Sequence, residues 1–297
     1  MGALTDALAA RASALGVRLV TTAPVTAVVP GRTGAEVFFD RVDTADGERR
    51  ITAGHVLVNA APQMLDELVT RRPRAATEGW QEGAQLKVNM LLARLPALRD
   101  PHATAADAFA GTFHINETKT QLETAYREGA AGRLPDPMPA EVYCHTLSDP
   151  SIIGPALAAA GAHTLTLFGL HVPHRLAVAD PDGLRETATR AALASLDSVL
   201  AEPITDCLAL DATGRPCLDV ATTVDLERDL ALPTGNIFHT PLEWPWAEPD
   251  DPRGPWGVAT GYPNVSLCGS GAARGGAVSG IPGHNAAMAL LRPESRP

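Results

Sequence analysis

The residues with the clearest chemical potential lie near the C-terminus, in the run Asn264-Val-Ser-Leu-Cys-Gly-Ser-Gly-Ala-Ala-Arg-Gly-Gly-Ala-Val-Ser-Gly-Ile-Pro-Gly-His-Asn-Ala-Ala-Met-Ala-Leu-Leu291. The pattern predicts a short buried strand over Val265 to Cys268, a glycine-rich turn from Gly269 to Gly280, and a helix with Pro282 in its first turn. Glycine has no Cβ and tolerates positive φ, so such a turn lets bare backbone approach a ligand. The helix start behind it offers unpaired N–H groups and partial positive charge, which suit a phosphate or a heterocycle that becomes anionic. A nucleotide-type cofactor is the chemistry this arrangement serves, although such turns also occur as plain tight connections. No Gly-Lys-Ser/Thr follows, and Gly269 and Gly271 are followed by Gly275, so neither a P-loop nor Gly-x-Gly-x-x-Gly is present.

Other reactive residue types fall into weaker patterns. In His171-Val-Pro-His174 the proline prevents the helix that would align both imidazoles, and no third ligand is near in sequence. His114, His145 and His239 stand alone, as packing histidines commonly do. Ser270 lies in Gly-Ser-Gly, not in the Gly-x-Ser-x-Gly of a hydrolase elbow. Cys144, Cys207, Cys217 and Cys268 are scattered without a Cys-x-x-Cys pair, so reduced, mostly buried thiols are expected. No metal site is expected, and no residue stands out as a catalytic acid or base.

The 297 residues, 45% of them hydrophobic, suffice for one large domain or two ordinary ones. A formal charge of −10 argues against a nucleic-acid surface, which needs a basic stripe. Apolar runs are too short to cross a bilayer, and the N-terminus lacks a basic n-region and a long apolar h-region, so a soluble, cytoplasmic protein is expected.

The elements that must position the glycine turn can be read in order. Leu4, Leu8, Ala12 and Leu15 share a helical face that ends at Gly16. Strands are predicted over Val17 to Val20, Ala23 to Val29, Ala35 to Phe39 and Ile51 to Val58, with a hairpin turn at Asp46-Gly47. Leu65 to Arg74 reads as a short polar helix. After a boundary near Ala75, Gln85 to Leu92 alternates, with Lys87 and Asn89 on its polar side. Leu95 to Asp107 is loop-like, and Thr118 to Gly129 is an amphipathic helix carrying Leu122 and Tyr126. Strands follow over Glu141 to Leu147, His163 to His171 and Ile204 to Leu210. Asp180-Pro181 caps a helix running to about Leu200, with Leu184, Ala188, Ala192 and Leu196 facing inward. Pro203 to Pro263 is proline-rich, reads largely as a long connection and holds Trp244, Trp246 and Trp256. The expected class is α/β (α+β). Residues 1–75 would form one α/β unit, 76–258 a substrate domain with an antiparallel sheet covered by helices, and 259–297 a strand, turn and helix returning to the first unit.

Cys268-Gly-Ser-Gly, Gly275-Gly276 and Gly280-Ile-Pro-Gly283 with Asn285-Ala-Ala resemble the C-terminal flavin-contacting motif of the phytoene-desaturase-like branch of the flavin amine oxidase superfamily. That branch includes proteins called pyridine nucleotide-disulfide oxidoreductase domain-containing. The similarity extends along most of the chain, at Met1-Gly-Ala-Leu-Thr-Asp-Ala-Leu8, Ala23-Pro-Val-Thr26, Asn59-Ala-Ala-Pro62, Leu86-Lys-Val-Asn89, Asp149-Pro-Ser-Ile152 and Gly235-Asn-Ile-Phe-His239, in family order.

The resemblance implies FAD as cofactor, residues 1–75 with 259–297 as part of an FAD/NAD(P)-binding domain, and hydride transfer from an apolar or amine small molecule to the flavin. It implies that Val25 meets adenine through its backbone, that Asn59 and Ala60 approach the phosphate side, that Gly269 and Ser270 approach the ribityl and phosphate region, and that Gly275 and Gly276 are also among the cofactor contacts. Ile281, Pro282 and Gly283 would face the pyrimidine edge of the ring, where a helix start stabilises the reduced anion. It also sets Gly235 to His239, followed by Trp244, near the substrate cavity. The family normally begins with Gly-x-Gly-x-x-Gly, whose helix start grips the pyrophosphate. None occurs here, so the chain reads as a C-terminal fragment, a mis-assigned start or a protein without that grip, and FAD is expected to bind weakly or not at all. The competing reading is a non-catalytic remnant or interaction protein, with open strands and an apolar face that would drive aggregation or homo-oligomerisation.

Overall fold

The computed structural model describes residues 2–41, 47–72, 81–242, 246, 250–273 and 279–291. The chain divides into two units, one made of Met1–Thr77 with Phe238–Pro297 and the other of Glu78–Ile237. Both mix helices with β-structure, and the two larger sheets are antiparallel. Among the described residues no helix is long and apolar enough to cross a membrane.

The first unit opens with α1 (Gly2–Ala14), followed by β1 (Val25–Pro30), β2 (Ala35–Phe39), β3 (Arg49–Ala53), β4 (Val56–Val58) and α2 (Pro62–Thr70). The predicted helical face of α1 is real as a pattern, but the helix buries no residue, and Leu4, Leu8 and Leu15 are all more than half exposed. Val17 to Val20 is not a strand. Val17 N–H bonds back to Ala12 O at 3.0 Å and the segment is exposed with no strand beside it among the described residues, and extended chain becomes a strand only when a neighbouring strand takes its backbone hydrogen bonds. Strands β1, β2 and β3 form the expected meander, Val37 lying opposite Val28 and Ile51. Asp46, of the predicted hairpin turn, lies outside the described residues. The single return strand predicted over Ile51 to Val58 is two strands, because Gly54-His55 turns the chain and sends β4 into another sheet.

In the second unit come β5 (Gln85–Leu92), α3 (Ala105–Ala108), β6 (Phe113–Ile115), α4 (Lys119–Ala130), β7 (Ala140–Tyr143), α5 (His145–Ser148), α6 (Pro155–Ala159), β8 (His163–Leu170), α7 (His174–Ala179), α8 (Pro181–Asp197), β9 (Leu218–Ala221) and α9 (Thr223–Leu230). The strands form an antiparallel sheet in the order β6-β7-β8-β5-β9. Strand β5 buries every second residue, Leu86, Val88, Met90 and Leu92, and these join Leu167 of β8 and Val142 of β7. Helix α8 supplies the other side of this core through Leu184, Ala188, Ala192 and Leu196, spaced so that they fall on one face. Its start is capped by Asp180, which accepts from the Gly183 N–H, with Pro181 in the first turn. Arg185 of α8 donates to both carboxylate oxygens of Asp225, at 2.9 and 2.8 Å, while the Thr222 N–H donates to the same carboxylate at 2.7 Å.

Three further predictions fail here. The stretch Ile204 to Leu210 begins as a 3-10 turn over Ile204–Cys207, because Asp197 captures the Ile204 N–H. The strand predicted from Glu141 to Leu147 stops at Tyr143, where the chain turns into α5. The supposed long connection after Pro203 contains β9 and α9, the latter secured by a capping box between Thr222 and Asp225. The first unit is then completed by β10 (Val265–Leu267) and α10 (Ile281–Leu291), and its core gathers Val28, Leu65, Val258, Val265, Leu267 and Ala286.

Candidate functional site

Strands β4 and β10 pair in parallel, with Val56 opposite Val265, Leu57 opposite Ser266 and Val58 opposite Leu267. The ladder is extended by Val56 N–H to Asn264 O at 2.9 Å and Cys268 N–H to Val58 O at 3.0 Å. His55 Nε2 lies 3.0 Å from Ser266 Oγ across the pair, and burial lowers the His55 pKa. Parallel register has a direct consequence: both chains leave the sheet at the same end, so Asn59-Ala60-Ala61 emerges beside Cys268-Gly269-Ser270. Each then enters a helix, α2 at once and α10 after the glycine turn.

Two glycines make this approach feasible. A Cβ on Gly269 would overlap the side-chain oxygen of Asn59, and one on Gly271 would lie 2.7 Å from Ala60 O and 2.9 Å from Pro62 Cδ. Any side chain at either position forces the segments apart. Gly283 differs, since a Cβ there would meet Cys268 O at 3.6 Å, an ordinary contact. The first turn of α10 therefore sits over the end of β10. Asn285 Nδ2 donates to Trp256 O at 3.2 Å, and Ala273 N–H donates to Gly257 O at 2.9 Å, which tie the turn to the preceding loop.

The polar groups around this end are incompletely paired. Helix α2 starts at Ala61, whose extended backbone carries no capping side chain, with Pro62 following. Gln63 Oε1 in its first turn, Trp256 Nε1 and His239 Nδ1 are buried without a hydrogen-bond partner. Buried polar atoms are paired in the great majority of cases, so an orphan acceptor, Gln63 Oε1, and an orphan donor, Trp256 Nε1, in one unit are suited to a ligand carrying both. A cavity of about 360 Å³ is lined by Pro62, Leu65, Asp66, Tyr262, Leu267 and Gly271. The Tyr262 hydroxyl donates to Asp66 Oδ1 at 2.8 Å on its wall.

Of the site residues expected from sequence, Asn59, Ala60, Gly269, Ser270 and Gly283 are gathered at the ends of the parallel pair. Ile281, half exposed, and Pro282, buried, open α10. Val25 begins β1 in the three-stranded sheet, 43% exposed and opposite Phe39. Gly275, Gly276 and Trp244 lie outside the described residues. Sequence reasoning missed Gln63 and Trp256. A glutamine after a first-turn proline carries no distinguishing signal, whereas Trp256 stood in a segment already marked by its tryptophans. Cys268 is half-buried and burial raises its thiol pKa, in keeping with an unreactive cysteine.

In the second unit, the sheet face not covered by α8 carries a separate cavity of about 800 Å³, lined by Asn89, Thr166, Asp211, Arg215, Cys217 and Asp219 among others. Thr166 Oγ1 donates to Asn89 Oδ1 and Asn89 Nδ2 to Asp219 Oδ2, both at 3.2 Å.

No family model matches the chain. An uncharacterized protein of Mycobacterium tuberculosis (strain ATCC 25618 / H37Rv) is 52% identical over 296 residues, covering 98% of this chain and 54% of that protein. The mouse protein named pyridine nucleotide-disulfide oxidoreductase domain-containing protein 2 is 30% identical over 320 residues, covering 98% and 50%. The chain thus spans about half the length of the curated relatives it matches. Among solved structures, a flavoprotein/dehydrogenase from Cytophaga hutchinsonii superposes with a TM-score of 0.41 at 10% identity, over 98% of this chain and 54% of that one.

Proposed function

We propose that the chain belongs to an FAD-dependent oxidoreductase, in which the ends of β4 and β10 receive the flavin. The observation that carries this reading is the parallel register that sets Asn59-Ala60 beside the bare α-carbons of Gly269 and Gly271. Ligands of parallel sheets sit beyond the carboxyl ends of the strands, where the following helix starts converge. The residues present fit the cofactor. Gly269 and Gly271 let the two strand exits close on each other, Gly283 leaves room at the α10 start, the α2 start lacks a side-chain cap, and Gln63 Oε1 and Trp256 Nε1 would take an N–H or hydroxyl donor and an acceptor. The mouse relative's name points in the same direction. The phytoene-desaturase-like subtype rests on the sequence motifs alone.

When bound, FAD supplies the hydride acceptor. The chain's own contribution is orientation and charge. The α10 start, with Gly283 in its first turn, favours negative charge near the ring, and the α2 start does the same for a phosphate. Val25, Gly275 and Gly276 complete the proposed contact set.

Titration of the purified chain with FAD, followed by flavin fluorescence, tests the reading. Without a pyrophosphate fingerprint, binding is expected between roughly micromolar and millimolar. Gly283→Ala is the discriminating variant. Its Cβ has room and alanine favours a helix, so stability holds or rises by up to ~1 kcal/mol. Flavin binding should fall at least about tenfold, since the added methyl obstructs approach at the helix start. Equal binding by Gly283→Ala, or no quenching at millimolar FAD, overturns the reading. The second reading, a remnant that works by interaction, is favoured by the unburied α1 and predicts a colourless protein.

A further inference from the structure

We propose that His114, Glu117 and Glu141, in the second unit, form a binding site for a divalent transition-metal ion, with zinc as the ion that best matches the donors. This goes beyond the flavin reading and needs no residue of it.

The fold brings the three together by two separate devices. His114 of β6 lies directly opposite Glu141 of β7 in the antiparallel register, so their side chains share one face of the sheet. Glu117 arrives by a tight reversal. Asn116 takes a left-handed backbone, φ 58°, and its amide donates to Met138 O at 3.3 Å, while Thr118 begins α4 with a full capping box. Glu117 is thereby held between two fixed points. One ligand atom from each of the three residues lies within 4.8 Å of the other two, and among the described residues no other group of three such side chains meets this condition.

The internal pairing of the cluster is incomplete in a way that a cation completes. Glu117 Oε2 lies 2.7 Å from His114 Nδ1, yet its Oε1 is buried without a partner, on a side chain only 14% exposed. An imidazole–carboxylate pair alone explains the first contact and leaves the second oxygen desolvated and unpaired. Glu141 then sets a second carboxylate against the first. The Tyr143 hydroxyl donates to Glu141 Oε2 at 2.6 Å, which orients that carboxylate and leaves its other oxygen for an ion. Such a hydrogen bond to a ligating carboxylate is the usual outer support of a metal site.

One imidazole nitrogen with two carboxylates, and no thiolate, selects an ion of intermediate hardness. Bonds of about 2.0–2.2 Å place ligand atoms roughly 3–4 Å apart, reached when the half-exposed His114 ring and the carboxylates draw in. Three protein ligands leave a fourth position to water. Bound metal would pin β6, the edge strand of the sheet, to β7 and to the start of α4.

The test uses the full 297-residue chain, stripped with a chelator and dialysed. Calorimetric titration with zinc chloride should give one site per chain with a dissociation constant of roughly micromolar or tighter. Cobalt(II) should give the visible absorption of a protein-bound ion, and zinc should raise the melting temperature. Glu117→Gln and Glu141→Gln, each isosteric, should weaken zinc at least about tenfold and abolish the cobalt band, with circular dichroism confirming the fold. His102→Gln, removing an exposed histidine outside the cluster, should leave binding unchanged. Failure of the wild-type chain to bind zinc, or retention of full affinity by folded Glu141→Gln, overturns the proposal.

Discussion

At Asp225 two opposing influences meet. Burial alone would raise its pKa, but the bidentate hydrogen bonds from Arg185, with those from the Thr222 N–H and hydroxyl, hold the carboxyl well below its usual range. A pKa depressed in the folded state contributes stability that is present above the unfolded value near 4 and is lost as pH falls toward the folded one. Asp225→Asn should therefore cost about 2–3 kcal/mol at pH 7, because it leaves the Arg185 charge without its carboxylate and weakens the α9 cap. The difference from wild type should shrink in urea titrations performed below about pH 3. At the glycine turn, Gly271→Ala should cost about 1–3 kcal/mol, since the new methyl meets Ala60 O at 2.7 Å. The same measurement on Gly283→Ala should give no loss, which separates close packing from room kept for a ligand.

Elements differ in how much of the structure rests on them. Leu167 of β8 is fully buried in the sheet core, and Leu167→Ala should cost about 2–5 kcal/mol by denaturant unfolding. Leu8 of α1 is 64% exposed on a helix that buries nothing, so Leu8→Ala should fall within about 0.5 kcal/mol of wild type. The same contrast explains what was legible in the sequence. Strand β5 was read at its observed bounds because both its faces leave a mark, apolar toward α8 and polar away from it. Helix α8 announced itself through its Asp180-Pro181 start and its spacing of apolar residues. Pattern failed where the deciding partner was distant. Nothing local says that Val17 to Val20 would go unpaired, that Asp197 would bend Ile204 to Cys207 into a 3-10 turn, or that β4 would leave the meander for β10. The candidate site divides likewise. The glycines are visible as residue types, whereas Gln63 and the opposition of His114 to Glu141 exist only after folding.

For the molecule as a whole, acidic charge and exposed apolar side chains pull in opposite directions. The net charge of −10 favours dispersal, while Leu4, Leu8, Leu15, Val17, Leu19 and Val20 stay in water along one continuous segment. Self-association should therefore strengthen with salt, which screens the repulsion and leaves the apolar contacts. Size-exclusion chromatography at 50 mM and 500 mM sodium chloride would reveal this, and Leu4→Arg with Leu8→Arg should return the high-salt peak to the monomer position.

The pairing of β4 with β10 joins positions roughly two hundred residues apart, and the intervening chain contains the whole of the second unit. Closing so long a loop is slow when the connection is disordered, and easier once the insert has condensed. On the ribosome the second unit is contiguous and can fold as soon as Ile237 emerges, whereas the first must wait, half made, until its last strand is synthesised. Pulse-labelling hydrogen exchange during refolding should accordingly protect β5, β7 and β8 before β4 and β10. The glycine turn would then be among the last parts of the protein to form.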